Sequence, residues 1–173
     1  MSQKQKNFKS KLKLRKVNVI LTILAIATIF MILWAIDIYR LTIITSSYLF
    51  GVTAIGGIIT FITLRIWLKK IYSVVLTFVI SIPLGGGFFY SGFLFFNQIF
   101  HGKELITKEF QIIKTGNFGG RNTGCFEPFV VIDFHGIRKQ LVFSCNYEKT
   151  INNYHKVALI YSRGFFGFET IAS

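Results

Sequence analysis

Four residues of metal-ligand type recur at intervals of ten near the end of the chain: Cys125, His135, Cys145 and His155. Thiolate and imidazole are the ligands that tetrahedral zinc takes, but such sites usually place two ligands on one turn through a C-x₂₋₄-C spacing. That spacing is absent, and the sequence between the four works against convergence. His135-Gly136 separates two alternating apolar runs and reads as a two-residue hairpin turn. Such a turn pairs Phe134 with Ile137, so that partners sum to 271. It sets Asp133 opposite Arg138, Val130 opposite Leu141 and Phe129 opposite Val142, giving complementary cross-strand pairs. His135 is then the hairpin tip and Cys145 lies near its other end, roughly 30 Å away at strand rise. Zinc and the hairpin exclude each other, so no metal and no cofactor is expected.

The alternative chemistry for Cys125 and Cys145, the only cysteines in the chain, is a disulfide with each other. The same ladder puts Cys145 opposite Phe126, one position from Cys125, an offset that a bulge near Pro128 would correct. Closing a loop of about 20 residues contributes roughly 3 kcal/mol on a chain-entropy estimate. The domain must face an oxidising compartment for the bond to persist.

Other chemistry-bearing patterns are missing. The sequence has no G-x-S-x-G, no P-loop and no H-E-x-x-H. Its C-terminal acids, Glu104, Glu109, Glu127, Asp133, Glu148 and Glu169, are isolated. His101 reads as an interfacial or solvated residue. Residues 115–124 hold four glycines and Arg121; a flexible hairpin connection is the plain reading, and an anion site made of backbone amides the sharper one. FFGFET reads as a core strand whose glycine permits close packing, with an exposed aromatic patch as the alternative. No catalytic residue is expected.

The elements that position these residues are set by three long apolar runs. Residues 17–36 carry no charge, which suits a helix crossing about 30 Å of hydrocarbon at about 1.5 Å per residue. An Ala-Ile-Ala at 25–27 resembles a signal cleavage site, but the apolar run continues past it and leaves no polar segment, so an uncleaved anchor is expected. The second span is expected over 41–64, joined to the first by Asp37-Ile38-Tyr39-Arg40 as a tight helical hairpin. Ser47, Gly51 and Ala54 give it a small-residue packing face, with a homo-oligomer seam as the sharper reading. The third run, 71–97, contains Pro83 and Gly85, Gly86 and Gly87, which mark a helix kink. Ser81, Gly85 and Gly92 form its packing stripe. A broken helix can line a transport cavity, but no charged residue accompanies this one.

Charge sets direction. The net charge is +13, and residues 1–16 hold seven Lys/Arg and no acid. With Arg65, Lys69 and Lys70 they make ten on one side, against Arg40 alone in the first hairpin loop. The positive-inside rule makes the tail cytoplasmic and puts the C-terminal segment outside. The tail abuts a span and has no interleaved aromatic beyond Phe8, so its partner is the bilayer and its anionic lipid, not nucleic acid.

The expected fold is therefore membrane α-helical, three transmembrane helices, plus a small C-terminal extramembrane domain. That domain, residues 101–173, should be all-β or α+β with about five antiparallel strands, with one helical turn near 147–154. The architecture is common among small bacterial membrane proteins, and the wealth of Lys, Ile, Phe and Asn fits an AT-rich bacterial genome. The leading expectation is a non-enzymatic plasma-membrane protein whose extracytoplasmic domain recognises a protein partner or envelope component, in an accessory or immunity-type role. A transport or pore-forming subunit built on the kinked helix is the alternative, and an envelope enzyme the third.

Overall fold

One helix, α1, runs over Gln3–Leu41, 39 residues long, from the basic tail through the first apolar run. The structure, a computed structural model, describes residues 3–68, 72–118 and 127–172, with side chains from residue 14 onward. Helix α1 ends where Thr42-Ile43-Ile44-Thr45 begins, because β-branched side chains favour extended backbone. Thr42–Ile43 forms a short strand, β1, and helix α2 starts only at Ser46 and runs to Leu68. Residues 42–45 lie outside both helices, so the break between them falls after DIYR.

The third apolar run opens at Ser73, whose Oγ accepts from the Leu76 amide. It runs as α3, Val74–Ser81, a π-helical turn, Ile82–Gly86, and α4, Gly87–Ile99. Pro83 supplies no amide to the helical ladder, and the backbone widens there by one π turn. All three helical stretches are long and apolar enough to cross a membrane. Phe50, Ile66 and Trp67 are each at least 75% exposed, a surface that lipid and not water would cover.

These helices and the sheet form two compact units, Met1–Asp37 with Ser46–Phe95, and Ile38–Thr45 with Phe96–Ser173. Within the first unit α2 and the π turn approach closely. A Cβ on Gly85 would stand 2.5 Å from the Gly56 carbonyl oxygen, and one on Gly56 would stand 2.6 Å from Phe89 Cβ. Gly86 packs on Thr53, and Gly87 on Thr28 and Ile32 of α1. Gly51 and Gly92 meet nothing within 4 Å, and Ser47 and Ala54 are exposed. Close glycine contact within this unit therefore runs through Gly56, Gly85, Gly86 and Gly87 among the described residues; Ser81, fully buried, donates to the Phe78 carbonyl.

The second unit is a six-stranded antiparallel sheet in the order β1-β6-β5-β2-β3-β4. Its further strands are β2, Ile106–Phe118, β3, Glu127–Phe134, β4, Ile137–Val142, β5, Lys156–Arg163, and β6, Glu169–Ile171. Five strands come from the C-terminal segment, and the sixth, β1, comes from the turn after α1 and pairs with β6 through Thr42↔Thr170 and Ile43↔Glu169. Strand β2 is long enough to serve two neighbours. It pairs with β5 from Ile106 to Gln111 and with β3 from Ile112 to Phe118, and a bulge lies between Ile112 and Lys114. That bulge bends the sheet into a near-barrel around Ile43, Phe110, Val130, Ile132 and Phe134. Phe110 and Phe134 stack at 4.8 Å, and Tyr161 meets Phe134 edge-on at 5.0 Å.

The β3–β4 hairpin pairs Phe134↔Ile137, Asp133↔Arg138, Val130↔Leu141 and Phe129↔Val142. His135 (φ 53) and Gly136 (φ 88) are both left-handed, as a type I′ turn requires. FFGFET is not a core strand. Only Glu169–Ile171 is extended, and Gly167, at φ 85, turns the chain before it, leaving Phe165 and Phe166 outside the core.

Candidate functional site

An ammonium group lies where the near-barrel has its seam. In β4 the inward positions are Ile137, Lys139 and Leu141; Lys139 is opposite Ile132 and only 8% exposed. Strands β4 and β1 are the two edges of the sheet, and Lys139 bridges toward β1. Its Nζ donates to the Tyr39 and Thr42 carbonyls, each at 2.8 Å, and lies 4.8 Å from the Tyr39 ring centroid. The Tyr39 carbonyl belongs to the last turn of α1 and Thr42 follows directly in β1, so the cation also complements the C-terminal end of the helix dipole. Burial lowers the Lys139 pKa from 10.5 to about 8, so the group stays mostly charged at neutral pH.

The crossover from β4 to β5 coils into two 3-10 turns, Cys145–Tyr147 and Ile151–Asn153. With β2, β3 and β5 they enclose a cleft of about 280 Å³, lined by Ile112, Phe143, Tyr147, Ile151, Tyr154 and Val157. Tyr147 and Tyr154 are about half exposed, and Phe143 meets Tyr147 edge-on at 6.0 Å. Cofactor and drug-sized pockets run to about 300–1,000 Å³. This cleft is sized for one large side chain.

No family model, curated protein or solved structure matches the chain. Function has to be argued from the residues alone.

The sequence-selected residues are dispersed. Cys125 lies outside the described residues, as do Arg121 and the rest of 119–126; Thr115–Phe118 belongs to β2, not to a loop. Cys145 opens the first 3-10 turn beside the cleft. His135 sits at the hairpin tip with its ring edge-on to Phe134 at 5.0 Å, and His155 contributes its carbonyl to the Ile112 amide. Among the described residues no three of His, Cys, Asp and Glu come together as metal ligands. Asp133 Oδ1 accepts from the Gly136 amide at 2.6 Å, so the carboxylate braces the turn. Glu109 pairs with Lys156 at 3.4 Å on the surface, a geometry worth little in water.

In the helical unit, Pro83 and Leu84 of the π turn face Ala25, Thr28 and Ile32 of α1 across an apolar crevice of about 480 Å³. No side chain in that lining is charged.

Two residues with structural authority escaped the sequence reading. Lys139 was detectable, since the hairpin register alone places it opposite Ile132 on the inward face. Asn97 was not: it looks like a polar end to a span. Its side chain is fully buried, accepts from the Phe166 amide at 3.0 Å and donates to the Phe168 carbonyl at 3.2 Å.

Proposed function

We propose that this chain is a small multi-pass plasma-membrane protein that acts by binding, without a catalytic step, and displays its β domain outside the cytoplasm. The observation that carries the reading is the cleft bordered by Tyr147, Tyr154 and Phe143. Half-exposed aromatics around a side-chain-sized apolar pocket suit an anchor residue from a protein partner, because such residues bring large area at low entropic cost. The β1–β6 pairing supports the direction of display. It suits a topology in which the α1–α2 turn and the C-terminal domain lie on one face of the membrane, as two intervening crossings would put them. Lys/Arg excess in the tail makes the other face cytoplasmic, with anionic lipid as its counter-charge. A Cys125–Cys145 disulfide would then hold the cleft-bearing turn at Cys145 in an oxidising compartment.

A photo-crosslinking residue at Tyr154, in the native membrane of the source cell, tests the reading. We expect one discrete protein adduct, lost when Ala158, on the cleft wall, is replaced by Phe to fill the space. An adduct indifferent to Ala158→Phe, or none at all, refutes the cleft as the binding site.

A second reading, a transport subunit, draws on the π turn and its crevice, since such bulges recur at functional sites. Its apolar lining restricts the cargo to apolar solutes. Proteoliposomes that retain such solutes as well as empty vesicles do would eliminate it.

A further inference from the structure

Among the described residues of the second unit, an exposed aromatic cluster is joined to the end of a candidate membrane span. The turn over residues 164–168 carries Phe165 at 64% and Phe166 at 45% exposure. Phe165 meets Phe100 at 6.0 Å, and Phe100 stacks on Phe96 at 5.8 Å with planes 10° apart. Phe96 lies inside the apolar stretch Val74–Ile99, and Phe100 directly follows it. All four rings belong to the same compact unit.

The turn is held at that level. Besides the two bonds that the Asn97 side chain makes to the turn, the Phe165 amide donates to the Asn97 carbonyl at 3.3 Å. A Cβ on Gly164 would overlap the Asn97 side chain, so the glycine lets the turn reach the helix. Within the turn, Gly164 donates to Phe168 and Gly167 to Gly164, at 2.8 and 2.9 Å. These bonds pair the amides of Gly164, Phe165, Phe166 and Gly167 while the two rings stay exposed, and paired amides are what apolar surroundings require.

Cationic groups border the rings. Gly102 donates to the Arg163 carbonyl at 2.8 Å, which brings the exposed His101-Gly102-Lys103 segment beside exposed Arg163. Aromatic rings bordered by Lys and Arg are the composition found where a protein surface meets lipid headgroups.

We propose that residues 164–168 form a membrane-inserting turn: Phe165 and Phe166 enter the headgroup–acyl boundary beside the end of the third span, and Arg163 and Lys103 meet lipid phosphates. The occupant of this aromatic surface is the bilayer, because the rings continue a surface that already lies in it. The inference does not depend on the cleft, nor on which face of the membrane carries the domain.

The test uses the full chain in phosphatidylethanolamine–phosphatidylglycerol liposomes. Trp34 and Trp67, the only tryptophans, are replaced by Phe, and a single reporter is introduced as Phe165→Trp or, separately, Phe166→Trp. Tyr154→Trp serves as the reporter outside the proposed contact. Lipids brominated near the glycerol end of the acyl chain should quench most of the emission at 165 and 166, which should be blue-shifted and resist aqueous iodide. The reporter at 154 should show the reverse response. Iodide quenching at both turn positions, with no effect of brominated lipid, overturns the proposal. Emission quenched by neither agent also overturns it, since it shows the rings covered by protein, such as a second copy of the chain.

Discussion

Replacing Lys139 by Met should open the seam of the near-barrel while leaving the β3–β4 hairpin in place. The substitution keeps an unbranched apolar side chain but removes two bonds of 2.8 Å from an ammonium to the Tyr39 and Thr42 carbonyls. Hydrogen bonds to a charged partner contribute about 1.5–3 kcal/mol each, and the Tyr39 contact about 0.5–1 kcal/mol more. Against that stands the desolvation of the ammonium. A fall from 10.5 to about 8 corresponds to roughly 3 kcal/mol at about 1.4 kcal/mol per pH unit. The variant regains that cost but leaves the Thr42 carbonyl without its donor in a residue that is fully buried. A net loss of about 2–3 kcal/mol at pH 7 is expected for the contact of β1 with the rest of the sheet. Hydrogen–deuterium exchange in lipid nanodiscs would read it as roughly 30- to 150-fold faster exchange in peptides covering 38–45 and 169–171. Peptides covering 129–134 should change little. The pH dependence provides a separate check. The folded state gives up the Lys139 proton near pH 8, whereas the unfolded chain holds it to about 10.5. Over that window the unfolded state binds more protons, so stability rises with pH. Below pH 8 the cost is constant. The wild-type excess should grow between pH 8 and 10.5 relative to Lys139→Met. Unchanged exchange at 38–45, or a wild-type excess that falls through that window, would refute the assigned role.

Other substitutions separate positions that look alike in sequence. Gly85→Val should sharply lower thermal stability in detergent, because a Cβ there collides with the Gly56 backbone, whereas Gly51→Ala should stay within about 0.5 kcal/mol of wild type. Asn97→Ala should speed exchange of the 164–168 amides by about tenfold or more, since it removes bonds to Phe166 and Phe168. His135→Gly should be neutral or should stabilise the hairpin by a few tenths of a kcal/mol, as glycine tolerates the left-handed φ of 53; a melting temperature lowered by several degrees would contradict it. In non-reducing intact-mass analysis with alkylation under denaturing conditions, we expect no alkylated thiol; two adducts would exclude the Cys125–Cys145 disulfide.

Local patterns account for what could be read in advance. The β3–β4 register was legible because His-Gly admits the turn geometry that right-handed strand twist demands. The break near Pro83 was legible because a missing amide acts within its own helix. Which glycines pack was not legible. Gly51 and Gly85 both sit in small-residue stripes, and only the neighbour opposite decides, Gly56 for one and nothing for the other. The reading of FFGFET as a core strand failed for a similar reason. Its hydrophobicity is real, but apolar residues suit a membrane boundary as well as a core, and the choice rests on Asn97, some 70 residues earlier in the chain.

What the sequence determined by itself were the quantities that add up along a chain: three apolar lengths, a lopsided charge, and alternation with turn residues near its end. Each is a local preference of backbone or solvent and needs no distant partner. Tertiary structure alone decided that a two-residue strand after α1 completes the sheet, that Lys139 seals its seam, and that Asn97 fastens an aromatic turn at the end of the third span. Those contacts join residues about 70 to 130 positions apart. A local pattern cannot specify them, because their free energy exists only once the chain has brought both partners together.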